Sequence, residues 1–190
     1  FELSNMEINN ERLKLHRKVN DLEAERPVVL IDELPWNELN VDGFLTLVCE
    51  DDLLRNCERS LRRKIFQFKH FPADMVLTPY IGVQKVINST GIGISVDEKT
   101  RSTENENHIV AHMYNDQLKT EDDIDRLTEP VLTYDEAATM TNFNKIGNAI
   151  GDILPVRIKG VETFSVGTWD QISVFRGVTP LLMDLIERPE

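Results

Sequence analysis

The sequence predicts an α/β fold with a parallel sheet. Two short apolar runs, residues 28–31 (Val-Val-Leu-Ile) and 73–78 (Ala-Asp-Met-Val-Leu-Thr), flank one long amphipathic stretch. This order of strand, helix and strand predicts parallel neighbours joined by a right-handed crossover. Residues 155–159 (Pro-Val-Arg-Ile-Lys) predict a third strand of the same kind, with further helical segments on either side.

The first predicted element is a helix from Asn10 to about Ala24. Leucine and valine residues recur there at roughly helical spacing among charged residues, and Pro27 ends the pattern. The run 28–31 then predicts a buried strand, because four consecutive β-branched or leucine residues suit a strand covered on both faces. A longer helix follows over about 51–69, with Asp51 and Asp52 at its N-terminus, where negative charge complements the helix dipole.

The middle of the chain predicts a β-hairpin. Residues 91–97 and 109–114 read as extended segments on either side of the polar stretch 98–107. Beyond it, Thr120 opens a short helix through Leu127 with the acidic spacing of a capping box. Further helices are predicted over 134–150 and 169–175, and a final one is predicted to be capped by Thr179, with Pro180 at its first position.

Composition restricts the classes of function. The 190 residues are 41% hydrophobic and 28% charged, which predicts one globular domain with a sizeable core. The net charge of -12 argues against nucleic acid or an anionic membrane surface as a partner. Without a signal-like N-terminus or a long apolar run, we expect a cytoplasmic protein, and Cys49 and Cys57 are expected to be reduced and structural.

Several short segments, taken in order, resemble the uroporphyrinogen decarboxylase-like superfamily, which also includes cobalamin-dependent methyltransferases. They are Ala-Asp-Met-Val at 73–76, Glu-Asp-Asp-Ile-Asp-Arg-Leu at 121–127, Leu-Pro-Val at 154–156, and 169–190 with its Arg-Gly step. The resemblance implies the N-terminal portion of a (β/α)8 TIM-type barrel, with an N-terminal helix and an inserted β-hairpin. It implies a single, incomplete barrel domain over 1–190: the helix in 1–26, two β/α units in 27–90, the hairpin in 91–116, and helices with the third unit in 117–190.

The chain departs from this family where the porphyrinogen decarboxylases bind substrate. Their first strand leads into an arginine-containing motif, whereas this chain has Ile-Asp-Glu-Leu-Pro-Trp at 31–36, and an acidic pair would repel a polycarboxylate. The aspartate that those enzymes carry after the second strand has no match in Thr78-Pro79-Tyr80. The resemblance therefore implies methyl transfer on a corrinoid-linked or small organic substrate rather than porphyrinogen decarboxylation.

The same resemblance implies zinc and a corrinoid protein for the parent enzyme, with the zinc ligands outside these residues. We expect no cofactor in this chain, no activity from it alone, and homo-oligomers formed through exposed sheet edges. The alternative is a non-enzymatic module for small-ligand binding or assembly.

Candidate site residues are the polar and aromatic side chains that follow the predicted strands. Asp32, Glu33, Trp36 and Glu38 follow the first strand, Tyr80 the second, and Lys159 and Glu162 the third, so in a barrel they would converge on one rim. A solvated loop is the alternative for each of them. Arg176 could face a ligand, or could instead satisfy carbonyls at a helix end.

Three further patterns do not indicate a functional site. The basic run Arg59, Arg62, Arg63 and Lys64 is typical of a solvated helix face. His108 and His112 share a strand face but would lie about 13 Å apart, too far to chelate one metal ion. Gly91-Ile-Gly93 lacks the third glycine and the setting of a dinucleotide-binding loop.

Overall fold

A computed structural model describes residues 1–102, 110–162 and 167–188 as a mixed α/β structure with small sheets and no closed barrel among those residues. A 3-10 helix covers Leu3–Asn5. The α-helices are α1 (Glu7–Asn20), α2 (Asp52–His70), α3 (Glu121–Ile124), α4 (Glu136–Ile150), α5 (Thr168–Arg176) and α6 (Val178–Glu187). The strands are β1 (Ile81–Gln84), β2 (Val86–Ser89), β3 (Glu98–Ser102), β4 (Val110–Tyr114), β5 (Leu132–Asp135) and β6 (Val156–Lys159).

The chain forms two compact units. Unit 1 combines Phe1–Lys85 with Glu136–Gly160, and unit 2 combines Val86–Asp135 with Val161–Glu190. None of the helices in the described ranges combines the length and the apolar character needed to cross a bilayer.

Unit 1 contains the parallel pair β1 and β6, in a register that places Ile81 opposite Val156 and Gln84 opposite Lys159. The predicted third strand is therefore confirmed as β6, and its partner is β1, which the sequence reading did not identify. Helix α4 packs against both strands. Val83 of β1 and Ile146 of α4 are 3% and 4% exposed, so the core of unit 1 lies at this sheet face.

The predicted strand at 73–78 is wrong, because side chains of α1 take the backbone hydrogen bonds that a neighbouring strand would make. The Asn9 carboxamide accepts from the Leu77 N–H at 2.8 Å and donates to the Leu77 carbonyl at 3.1 Å. Arg12 donates to the Met75 carbonyl at 3.3 Å, and a ring nitrogen of His16 lies 2.8 Å from the Asp74 carbonyl oxygen. The segment is extended but belongs to no sheet.

The predicted buried strand at 28–31 is also wrong. Val29 and Leu30 are 53% and 54% exposed. The Val29 carbonyl accepts the Asp74 N–H at 2.9 Å, but the Val29 N–H donates to the Asp74 carboxylate, also at 2.9 Å. Since a side chain takes the place of the next ladder bond, the two segments run side by side without forming a sheet, and the predicted crossover between them is absent from the described residues.

Unit 2 contains two antiparallel pairs, β2 with β5 and β3 with β4. The hairpin prediction is confirmed in type, but its first strand is Glu98–Ser102 rather than 91–97. Gly91 and Gly93 have φ of +73° and +89°, a backbone conformation that interrupts a strand and that glycine adopts without strain. Part of the predicted hairpin, residues 103–109, lies outside the described residues.

The predicted helices are confirmed with shifted ends. Helix α2 begins after Asp51, whose carboxylate accepts the Leu54 N–H at 3.2 Å, and Thr120 and Asp123 form the predicted capping box of α3. Helix α4 begins at Glu136 because β5 occupies the residues before it. The predicted cap of the last helix is wrong, because Gly177 caps α6 and Pro180 is its third residue, still within the first turn where a missing N–H costs no bond.

Candidate functional site

Unit 1 contains a pocket of about 390 Å³ between the loop after residue 30 and one face of α2. The loop contributes apolar, acidic and aromatic side chains, and α2 contributes cationic and neutral polar ones. The lining residues are Ile31, Asp32, Glu33, Leu34, Trp36, Asn56, Arg59, Ser60, Arg63, Lys64 and Gln67.

Helical spacing places the second group on one surface. Asn56, Ser60, Arg63 and Gln67 follow one another at steps of three or four residues, so they lie along one face of α2. The loop is held to that face by the Gln67 side chain, which donates to the Ile31 carbonyl at 2.6 Å. Trp36 packs edge-on against Phe66, with ring centroids 6.4 Å apart. The loop that lines the pocket is therefore held against α2 both at Ile31 and at Trp36.

Arg63 is stacked on the pocket's aromatic side chain. Its guanidinium carbon lies 4.9 Å from the centroid of the Trp36 ring, within the range of a cation–π interaction. Burial lowers the pKa of Arg63, and the positive charge of Arg59 lowers it further. Arg63 remains protonated at neutral pH, because the ordinary pKa of arginine lies above 12, so the pocket presents a partly desolvated cation.

The loop carries backbone strain at the pocket. Glu33 has φ of +55°, in the left-handed region that non-glycine residues rarely adopt. Such residues cluster at ligand sites, where the surrounding structure compels them. Here the left-handed conformation of Glu33 changes the direction of the backbone between Asp32 and Leu34, two other residues that line the pocket.

The pocket brings together three of the sequence-predicted site residues, Asp32, Glu33 and Trp36. It adds Arg59, Arg63 and Lys64, which the sequence reading assigned to a solvated helix face. The four-residue step from Arg59 to Arg63 places those two on one surface of α2, but only the path of the loop decides which surface is covered. Glu38 is not among the lining residues, and its N–H donates to the Pro35 carbonyl at 2.9 Å in the turn that follows the pocket.

Tyr80 and Lys159 form a separate cluster in unit 1. The Lys159 ammonium lies 5.1 Å from the Tyr80 ring centroid, and the Arg157 guanidinium carbon lies 4.5 Å from it. Gly82 makes this possible, because a Cβ atom there would lie 2.3 Å from the Lys159 side chain. Neither Tyr80 nor Lys159 is among the residues that line the pocket.

The last two predicted site residues, Arg176 and Glu162, belong to unit 2. Arg176 is 8% exposed and donates two bonds of 2.9 Å to Asp184, one of 2.6 Å to Asp116 and one of 3.0 Å to the Leu118 carbonyl. These acceptors, Asp184 first, raise the pKa of Arg176. The guanidinium is thus occupied by internal partners. Glu162 lies on the surface of unit 2.

The described ranges contain no group of three or more His, Cys, Asp or Glu side chains placed to hold a metal ion. A ring nitrogen of His112 lies 2.7 Å from a Glu98 carboxylate oxygen, while His108 lies outside the described residues. Cys49 and Cys57 are free thiols, and burial is the main cause that raises the pKa of each. Their thiolates are therefore disfavoured both as metal ligands and as nucleophiles.

Comparisons with protein-family models, with curated proteins and with solved structures found no match to this chain.

Proposed function

We propose that this chain binds a small organic molecule in the pocket beside α2, as part of a uroporphyrinogen decarboxylase-like protein of the methyltransferase branch. One observation carries the proposal: Asp32, Glu33 and Trp36, singled out in the sequence, line a single pocket with Arg63. Its volume of about 390 Å³ lies in the range of small-molecule sites. An apolar wall with a few convergent charged groups is typical of such sites.

The proposal includes the barrel relationship. β1 pairs with β6 in parallel, as neighbouring strands of a barrel do, and the segments 28–31 and 73–78 lie side by side without forming a sheet. Val29 and Leu30 are more than half exposed, which supports a further layer over them in the complete fold. In that arrangement, the pocket lies at the C-terminal end of the segment 28–31.

Methyl transfer, a corrinoid protein partner and zinc enter the proposal through the family resemblance. The described residues do not offer a zinc donor set, because no three His, Cys, Asp or Glu side chains converge among them. We therefore assign substrate binding to these residues and assign no chemical step to them. Open edges on three two-stranded sheets support self-association of the chain, and two free thiols support a reducing, cytoplasmic location.

The two tryptophans provide the test. Trp36 lines the pocket, whereas Trp169 lies on α5 in unit 2, so their indole N–H signals report on different parts of the chain. In an NMR screen of neutral, cationic and anionic compounds of up to about twelve heavy atoms, binders should move the Trp36 signal and leave Trp169 in place. Trp36→Ala removes this reporter, so its binding is followed through the ligand's own NMR signals and should be abolished, whereas Trp169→Phe should retain binding.

Failure of every compound to move the Trp36 signal, or equal movement of both indole signals, would overturn the proposal. Methyl transfer is tested separately with the complete gene product and a methylcobalamin acceptor assay, in which Trp36→Ala should lower the rate through KM.

A second candidate is a non-enzymatic ligand-binding module. The observation that favours it is that no histidine or cysteine is among the described residues that line the pocket, so Ser60 has no neighbouring imidazole there to act as its base. The two candidates differ in the methyl-transfer assay and agree in the binding assay.

A further inference from the structure

Arg63 differs from the other arginines of α2 in its hydrogen bonds. Arg55 donates to the Cys49 carbonyl at 2.9 Å, Arg59 to the side-chain oxygen of Asn56, and Arg62 to Glu58 at 2.8 Å. Within residues 1–102, 110–162 and 167–188, no side chain or backbone oxygen accepts a hydrogen bond from Arg63, and no carboxylate lies within 4.0 Å of it. Its contact is with the ring face of Trp36.

Stacking uses the flat face of a guanidinium and leaves its edge of N–H donors available. That edge matches the two oxygens of a carboxylate, which it can bind through two parallel hydrogen bonds. Trp36 holds the guanidinium plane in place, so little side-chain freedom is lost when such a ligand binds. The desolvation that Arg63 carries, together with repulsion from Arg59, would be relieved by a bound anion.

The other charges of the pocket limit the ligand to a single negative charge. Asp32 and Glu33 offset two of the three cations that line the same cavity, Arg59, Arg63 and Lys64, which leaves one positive charge for a ligand to neutralise. A dianion or polyanion would be repelled by the two carboxylates. Ile31, Leu34 and Trp36 provide apolar surface for the rest of the molecule.

From this arrangement we infer that the pocket binds an organic monocarboxylate, whose carboxylate group contacts the guanidinium edge of Arg63 and whose apolar body contacts Ile31, Leu34 and Trp36. The inference rests on the proposed small-molecule site and names the chemical class of its ligand.

Three matched probes test it: benzoate, its neutral isostere benzamide, and phenyl phosphate as a dianion. Each is titrated into the protein while the Trp36 indole N–H signal is followed by NMR. Benzoate should bind at least tenfold more tightly than benzamide, and more tightly than phenyl phosphate. Arg63→Gln should weaken benzoate binding at least tenfold and leave benzamide binding within a factor of two.

Two further variants separate the role of Arg63 from general charge. Arg63→Lys keeps the charge but lacks the planar fork and should weaken benzoate binding several-fold. Lys69→Gln removes an exposed cation of the same helix that does not line the pocket, and should change the affinity by less than threefold. Unchanged signals outside the pocket would show that each variant is folded.

The outcomes separate failure of the carboxylate assignment from failure of the small-molecule site on which it rests. Equal binding of benzoate and benzamide, or unchanged benzoate affinity in Arg63→Gln, would overturn the carboxylate assignment while the pocket remains a small-molecule site. Tighter binding of phenyl phosphate than of benzoate would overturn the restriction to one negative charge. If neither these probes nor the wider set of compounds moves the Trp36 signal, both statements are wrong.

Discussion

Leu22 shows how a single residue can carry backbone strain without a functional site nearby. It follows the C-cap of α1 with φ of +61°, its N–H donates to the Val19 carbonyl at 3.2 Å, and the Glu23 N–H donates to the Lys18 carbonyl at 2.8 Å. These two bonds form a Schellman motif, whose left-handed position is usually glycine. The Leu22 side chain is 93% exposed, so packing does not compensate for the strain.

Leu22→Gly should therefore stabilise the protein. Glycine adopts the left-handed conformation without the Cβ clash, and the gain should be roughly 1 kcal/mol in the free energy of unfolding. Urea denaturation would measure it. Leu22→Ala is the control, because alanine keeps the Cβ atom, and its stability should stay close to that of the wild type. Equal stabilisation by both substitutions would point to the loss of an exposed leucine instead.

A second residue, Glu58 of α2, should make stability depend on acid. Its carboxylate accepts the N–H groups of Val48 and Cys49, each at 2.9 Å, and is paired with Arg62, which together lower its pKa to about 2. The unfolded chain therefore takes up a proton near pH 4.5, before the folded chain does. The contribution to stability is complete above about pH 4.5 and is lost as the pH falls toward 2.

Glu58→Gln should remove this part of the pH dependence. Urea midpoints measured from pH 6 down to pH 2 should fall more steeply in the wild type than in the variant across that window. Parallel curves would mean that Glu58 ionises alike in the folded and unfolded chains. Glu7→Gln, at an exposed position in the first turn of α1, is the matched control and should reproduce the wild-type slope.

At the scale of elements, α1 is attached to the extended segment 73–78 through polar side chains. The side chain of Asn9, which is 3% exposed, forms hydrogen bonds with both the N–H and the carbonyl of Leu77. The guanidinium carbon of Arg12 also lies 4.7 Å from the centroid of the Phe68 ring. This arrangement differs from ordinary helix packing, in which an apolar stripe provides the contact. Side chains of α1 thus form the hydrogen bonds that a neighbouring strand would form with the segment 73–78, which has no strand neighbour among the described residues.

Asn9→Ala should destabilise unit 1 by about 2 to 3 kcal/mol. The substitution leaves the buried N–H and carbonyl of Leu77 without partners, and each unsatisfied buried group costs about 1 to 3 kcal/mol. Thermal and urea unfolding would measure the loss. Asn10→Ala is the control, because Asn10 is the next residue on α1 and is exposed. Its effect should be below about 0.5 kcal/mol, and similar losses in both variants would contradict the proposed attachment.

At the scale of the whole molecule, the two units are stabilised differently. All the buried hydrophobic residues of the described ranges belong to unit 1: Phe68, Ala73, Leu77, Val83, Ile146 and Leu154. Among the described residues of unit 2, the buried side chain is Arg176, which joins α5 to α6 through Asp184 and to the segment after β4 through Asp116. Hydrogen bonds donated by one guanidinium therefore join elements whose described hydrophobic side chains are not fully buried.

Arg176→Ala should destabilise unit 2 by roughly 3 kcal/mol, because breaking a buried ion pair leaves its carboxylates without compensation. Amide hydrogen exchange of α5, α6 and β4 should accelerate, while exchange in α2 and α4 should not. Arg126→Ala is the control, since Arg126 also pairs with an aspartate in unit 2 but is 59% exposed, and it should cost less than about 1 kcal/mol. Uniform acceleration in both units would show that Arg176 supports more than unit 2.

Much of the helical structure could be predicted from the sequence, whereas only two of the strands, β4 and β6, could be. The apolar spacing of α2, the Asp51 cap and the capping box at Thr120 each depend on residues three or four positions apart. The segments 28–31 and 73–78 have suitable strand compositions, but their hydrogen bonds go to side chains from distant positions. Part of the pocket was predictable for the same reason: Asp32, Glu33 and Trp36 are close together in sequence, whereas their proximity to Arg63 depends on how the loop lies on α2.

The sequence by itself determined the mixed α/β class, the helices, the N-terminal features of α2 and α3, the strand at 156–159 and the acidic charge that argues against a nucleic-acid partner. Only the tertiary structure decided that α1 occupies the backbone of 73–78, that β6 pairs with β1, and that Arg63 stacks on Trp36 at the pocket. The physical reason is the range of the interactions. Helix formation is governed by neighbours along the chain. The N–H and carbonyl groups of an extended segment instead form hydrogen bonds with whichever distant partner the whole fold places beside them.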